Sequence, residues 1–131
     1  MTQEEKEVLI KFLCAMLPYG VICSVVHKKD GRLVEEDMKL SGMFKDGNFY
    51  FLDETGSAYS DNYIPYLRPM SSMTGEERNE YLSIKTQEIE RAALAEEAIS
   101  EIIDWLNARY FDYCDLIGKG LALEAPEGMY N

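Results

Sequence analysis

Val21-Ile22-Cys23-Ser24-Val25-Val26, bounded by Tyr19-Gly20 before and Asp30-Gly31 after, decides the fold class of this chain. The run is β-branched and too short for a helix, and Asp-Gly is the dipeptide of a tight hairpin, so it reads as a buried strand entering a turn. The segment before it has helical spacing. Val8, Leu9, Phe12, Leu13 and Met16 recur three or four apart, Thr2 followed by Glu5 makes a capping box, and Pro18 forbids continuation. A helix over 2–17 followed at once by a strand excludes an all-α and an all-β protein. The class is α+β.

Downstream of the hairpin, strands are expected around Arg32–Leu40 and over 48–52, the second introduced by the turn pair Asp46-Gly47. Together they make a small antiparallel sheet in the region 19–67. Asp53 to Asn62 is rich in Asp, Ser, Gly and Thr and reads as a loop. Pro65 and Pro69 then exclude a helix and a central strand over 63–69, leaving an extended edge. A calcium loop at Asp53 is rejected because Gly56 is the fourth residue where an EF-hand needs glycine at the sixth.

The spacing of Thr74 and Glu77 predicts a second helix start, and no proline follows until Pro126. Ala92, Ala95, Ile99, Ile102 and Leu106 form a stripe with Glu97, Glu101 and Asp104 on another face. A helical region over 74–117, as one long helix or a helix pair packed on the sheet, is expected to give the core its main helical contribution, or else to form a homodimer interface. Gly118-Lys119-Gly120 ends it, and the tail 118–131 has Leu121, Leu123 and Met129 with which to pack. At 131 residues the chain needs one core and is read as one domain, 1–131.

Composition narrows the function classes. The chain has 24 Asp and Glu against 13 Lys and Arg, a net charge of −11 that repels nucleic acid and anionic membrane surfaces. Solubility is the simplest role for that charge, with mimicry of a nucleic acid as the rarer one. No apolar run is long enough to span a bilayer and the first residues are polar and acidic, so a cytoplasmic protein is expected. Cys14, Cys23 and Cys114 are scattered, and His27 is the lone histidine, which speaks against a disulfide framework or a zinc site. No cofactor is expected.

Three strings carry a resemblance: LPYGVIC at Leu17–Cys23, PYLRPMSSMTGEE at Pro65–Glu77, and WLNARYFDYCDLIGKGLALEAPEGMYN from Trp105 to Asn131. They resemble a family of small proteins encoded by gut Bacteroides-type bacteria, their phages and mobile elements, to which no activity is assigned. The resemblance implies a genomic setting and transfers no functional residue. Where the family pattern reads FDYRGLI, this chain reads Phe111 to Ile117 with Cys114-Asp115 in place of Arg-Gly, which removes any role resting on a positive charge at Cys114.

The candidate reactive groups are few. Cys23 and His27 lie four apart on one strand, roughly 13 Å in extended chain, too far for proton transfer between them. Asp112, Tyr113 and Asp115 bring carboxylates near a phenol, but Asp112 is also placed to cap a turn holding Leu116 and Ile117. Arg68 in its proline-braced loop can meet an anion or tie the loop to a carboxylate. Trp105, the single tryptophan, serves packing or an interface. Phosphate loops, nucleophile elbows and zincin motifs do not occur. The sequence thus favours a non-enzymatic interaction or accessory protein of phage or mobile-element type acting on a protein partner. The competing reading is a small enzyme or ligand-binding domain with a site at Trp105–Asp115 drawing on Arg68, Trp105, Asp112 and Tyr113.

Overall fold

A computed structural model describes residues 2–43, 48–53, 56–60, 62–90 and 95–130. Helix α1 (Gln3–Met16) opens the chain, followed by strands β1 (Ile22–Lys29), β2 (Arg32–Met43), β3 (Phe49–Asp53), β4 (Gly56–Tyr59) and β5 (Tyr63–Leu67). Helices α2 (Gly75–Glu90) and α3 (Ala95–Ala108) come next, and a two-residue strand, β6 (Leu123–Glu124), closes the order. Thr2 accepts from the Glu5 amide while Glu5 returns the bond, so the capping box forms as its spacing predicts. Thr74 and Glu77 make the same reciprocal pair at α2.

The sheet runs β4-β3-β2-β1-β5-β6. Asp30 and Gly31 both take positive φ, the geometry an Asp-Gly hairpin turn needs, and they set the β1–β2 register with Val25 opposite Glu36. Alternation along β1 sends Cys23 and Val25 into the core. Strand β2 runs to Met43, past the expected Leu40, with its register broken between Leu40 and Gly42. A Cβ at Gly42 would collide with the Tyr50 ring opposite it, so glycine leaves room for that ring beside the irregularity. The sheet curls far enough that Phe49 and Phe51 of β3 meet Tyr63 of β5, at 5.6 and 5.4 Å between ring centroids.

Four expectations are corrected. The sheet is mixed, because β6 runs parallel to β5. Second, β5 is internal and contains Pro65: its ladder to β1 covers Tyr63–Pro65 and its ladder to β6 covers Tyr66–Leu67, so the strand changes neighbours at the residue that lacks a donor. Third, the supposed loop after Asp53 holds β4, which pairs with β3 despite its weak strand formers. The Asp46-Gly47 turn lies outside the described residues.

The fourth correction concerns helices. A helix pair exists, but among the described residues the helix that lines the core is α1, through Leu9, Phe12, Leu13 and Met16. Helix α3 packs on α2 and touches α1. Of the predicted stripe, Leu106 is buried and Ile102 half-buried, Ala92 lies outside the described residues, and the side chains of Ala95 and Ile99 are likewise not described. Helical structure ends at Ala108, well before residue 117. Tyr110 adopts φ +62°, its amide bonds the Asn107 carbonyl and the Phe111 amide bonds Leu106, a Schellman stop with tyrosine where glycine is usual. Residues 109–122 continue as turns that carry Phe111, Leu116, Leu121 and Ala122 into the interior.

Candidate functional site

Backbone pairing gathers the four candidate residues. Arg68 forms a parallel bridge with Phe111: its amide donates to Tyr110 O and its carbonyl accepts from the Asp112 amide, at 2.8 and 2.9 Å. The end of β5 is thereby stitched to the chain leaving α3, with Trp105 and Tyr113 a few residues to either side.

The side chains then diverge. Both terminal nitrogens of Arg68 donate to Glu77, at 2.8 and 2.6 Å, and its guanidinium lies 4.2 Å over the Phe111 ring. Glu77 thus serves twice, capping α2 through the Thr74 amide and pairing with Arg68. The Arg68 bond chiefly, and the Thr74 bonds with it, hold its carboxyl down at about 2 against the cost of burial. Sequence spacing identified Glu77 only as a cap, since nothing in a linear pattern joins it to Arg68.

Trp105 stacks on Phe111 with ring centroids 5.9 Å apart and planes 10° from parallel. Its indole N–H donates to Glu80 at 3.1 Å, and Arg109 both covers the indole at 4.2 Å and donates to the same carboxylate oxygen. A groove of about 490 Å³ runs past Trp105, Glu80 and Arg109, but these three polar groups are engaged with one another.

Asp112 is 6% exposed, and its two carboxylate oxygens accept from the amides of Leu116 and Ile117 at 2.8 and 2.9 Å. It occupies the turn-capping position. Tyr113 points the other way, its hydroxyl donating to Asn107 at 2.8 Å and its ring 5.2 Å from Phe12. Burial foremost, helped by nearby negative charge, pushes the Tyr113 phenol and the Cys114 thiol upward. Burial does the same, more strongly, to Cys23. All these shifts favour the protonated form, the reverse of what activates a nucleophile.

His27 sits on β1 with its Nε2 buried and 3.5 Å from Glu36, too long for a good hydrogen bond. Among the described residues no cluster of three or more His, Cys, Asp or Glu has metal-binding geometry. No helix of the described residues is long and apolar enough to cross a membrane.

A cleft of about 400 Å³ opens beside Arg68, lined by Ser72, Thr74, Glu124, Glu127 and Tyr130. Tyr130 was not singled out by sequence. Its hydroxyl accepts from the Ile22 amide at 2.9 Å and donates to Tyr66 O at 2.6 Å, joining β1 to β5 where their ladder has ended, while its ring stacks on Tyr110 at 3.8 Å. Of the residues expected to anchor the tail, Leu121 is buried, Met129 half-buried and Leu123 exposed.

No family model, curated protein or solved structure matches the chain.

Proposed function

We propose that this chain is a non-enzymatic interaction protein, of the phage or mobile-element type its sequence resembles, which engages a protein partner through the acidic surface of its α2–α3 helix pair. One observation carries this reading: among the described residues, the helices that hold most of the charge add no side chain to the main apolar cluster. Helix α2 carries five acidic residues and α3 four, against Arg78 and Lys85 alone, more than half of the net −11. Through Thr86, no described side chain of α2 is buried. Arg68, Trp105, Asp112 and Tyr113 meanwhile spend their polar atoms on internal bonds, which favours scaffolding over catalysis.

Glu101 and Asp104 are exposed on α3, and reversing both tests the reading. Tagged wild type and a Glu101→Lys, Asp104→Lys variant are used for capture from a Bacteroides-type host, with partners identified by mass spectrometry. A candidate is then purified and titrated at several salt concentrations. The expected result is a partner lost by the variant, bound by wild type with affinity that falls as salt rises. A partner held equally by both proteins, or none that discriminates them, would overturn it.

A further inference from the structure

We propose that the outward face of the sheet pairs two copies of this chain about a twofold axis; the proposal uses no residue of the α2–α3 pair and stands apart from the reading above. Register defines the face. Cys23 and Val25 of β1 join the apolar cluster with α1, so Ile22, Ser24 and Val26 lie on the other side, and directly opposite them on β2 stand Lys39, Asp37 and Glu35. Leu52 of β3 is opposite Lys39, and Ile64 of β5 is opposite Ser24, which carries the same face across four strands. A groove of about 780 Å³ opens on it, with Ile22, Asp37, Lys39, Leu52 and, from the tail, Met129 among its walls. Leu52 is 45% exposed, and Ile22, Val26, Ile64 and Met129 are half-buried, so aliphatic side chains are left wet across the strands.

The charges specify the occupant. On the described residues of these strands the face carries Lys28 and Lys39 against Glu35 and Asp37, with Asp53 at the margin of the groove, so nearly all of the net −11 lies elsewhere. A strongly basic or acidic partner finds no excess charge here to complement. A second copy meets this face without setting one acidic surface against another. The order of charges along β2 is moreover its own complement. A twofold axis lying across the strands between Asp37 and Lys39 sets each Lys39 against the Asp37 of the second copy, the reciprocal pairing of an isologous contact. Neither residue is ion-paired with a described residue. Asp37 accepts from the Tyr66 hydroxyl, and a carboxylate has further lone pairs to offer a lysine. Sheets stacked face to face lie about 10 Å apart, close enough to bury Ile22 and Leu52 between them.

Sedimentation equilibrium of the untagged full chain over about a hundredfold range of concentration reads the association. A reversible dimer is expected. Leu52→Asp should raise its dissociation constant about tenfold or more, whereas Leu82→Asp, on an α2 residue 52% exposed, should leave it unchanged. Asp37→Lys and Lys39→Asp should each weaken the dimer by setting like charges across the axis. The double variant Asp37→Lys, Lys39→Asp should regain most of the wild-type affinity, because the exchanged charges are again complementary. Asp37→Lys also separates pairing from bulk charge: it makes the chain less acidic, so relief of general repulsion alone would strengthen association. Asp37, Lys39 and Leu52 are all exposed, and circular dichroism confirms that each variant is folded. A wild type that stays monomeric throughout, a dimer that survives Leu52→Asp, or a double variant as weak as the single ones overturns the proposal.

Discussion

Replacing Asp112 by alanine separates a structural carboxylate from a functional one. The side chain is 6% exposed and accepts two amide hydrogens, one of them from Leu116, which is fully buried. A hydrogen bond to a charged acceptor contributes about 1.5–3 kcal/mol, and the orphaned Leu116 amide has no water to turn to. The half-buried Ile117 amide can recover some solvation, so the two losses add incompletely, giving about 3–4 kcal/mol for Asp112→Ala. For a domain of this size that lowers Tm by roughly 10–15 °C. Asp112→Asn keeps one acceptor but turns its NH₂ toward the other amide, and should lose about 2 kcal/mol. Urea denaturation and differential scanning calorimetry read both values. A change within about 0.5 kcal/mol would mean the carboxylate does not hold the turn. A gain in stability would be more telling, because groups kept at a cost are characteristic of working sites. It would restore a ligand site at Trp105–Asp115.

Three further outcomes follow from the geometry. Leu13→Ala, at a fully buried position of α1, should cost about 2–5 kcal/mol, and Ile102→Ala on the half-buried face of α3 only about 1 kcal/mol; a reversed order in chemical denaturation would show that α3 is the core helix after all. Folding depresses the Glu77 carboxyl from the ordinary 4.5 to about 2, so its contribution is whole above pH 4.5 and drains away as pH falls toward 2. Arg68→Gln should therefore melt below wild type at neutral pH, by about 1–2 kcal/mol, with the gap narrowing through that acid window, and a pH-independent gap would refute the pairing. Tyr130→Phe should cost about 1–2 kcal/mol and speed hydrogen exchange at the Ile22 amide, which loses its acceptor. Unchanged exchange there would place the tail elsewhere.

The parts of this fold legible in sequence are those specified within a few residues. The capping boxes at Thr2 and Thr74, the Asp30-Gly31 turn and the apolar stripe of α1 each depend on short-range spacing, and each forms. What escaped reading depends on partners distant in the chain. Pro65 argues against a central strand until Leu123 is known to take over as neighbour. The stop at Tyr110 carries no glycine, since the strained φ is held by tertiary contacts, with the ring on Tyr130 and the hydroxyl on Tyr19. The α3 stripe has real helical periodicity, but periodicity says only that a face is apolar; it does not say whether that face meets the sheet, another helix or a different protein. The candidate residues divide in the same way. Asp112 caps its own near neighbours and is readable, whereas the Arg68–Glu77 pair and the Trp105–Phe111 stack require the whole chain to be folded.

The tyrosine at the end of the tail also dictates an order of assembly. Its hydroxyl meets Ile22 across 108 residues of sequence and Tyr66 across 64. On the ribosome, α1 and the β1–β2 and β2–β3 pairings can form as soon as their residues emerge, because they are local. The outer edge of β5 has no such option. Until β6 and Tyr130 have been synthesised it presents unpaired amides and carbonyls, the kind of edge that recruits strands from other nascent chains. Those closing contacts carry a large loop-closure entropy and come slowly as well as late. The interval between translation of β5 and arrival of the tail is thus the window in which this protein is most exposed to misassembly, and chaperone dependence should concentrate there.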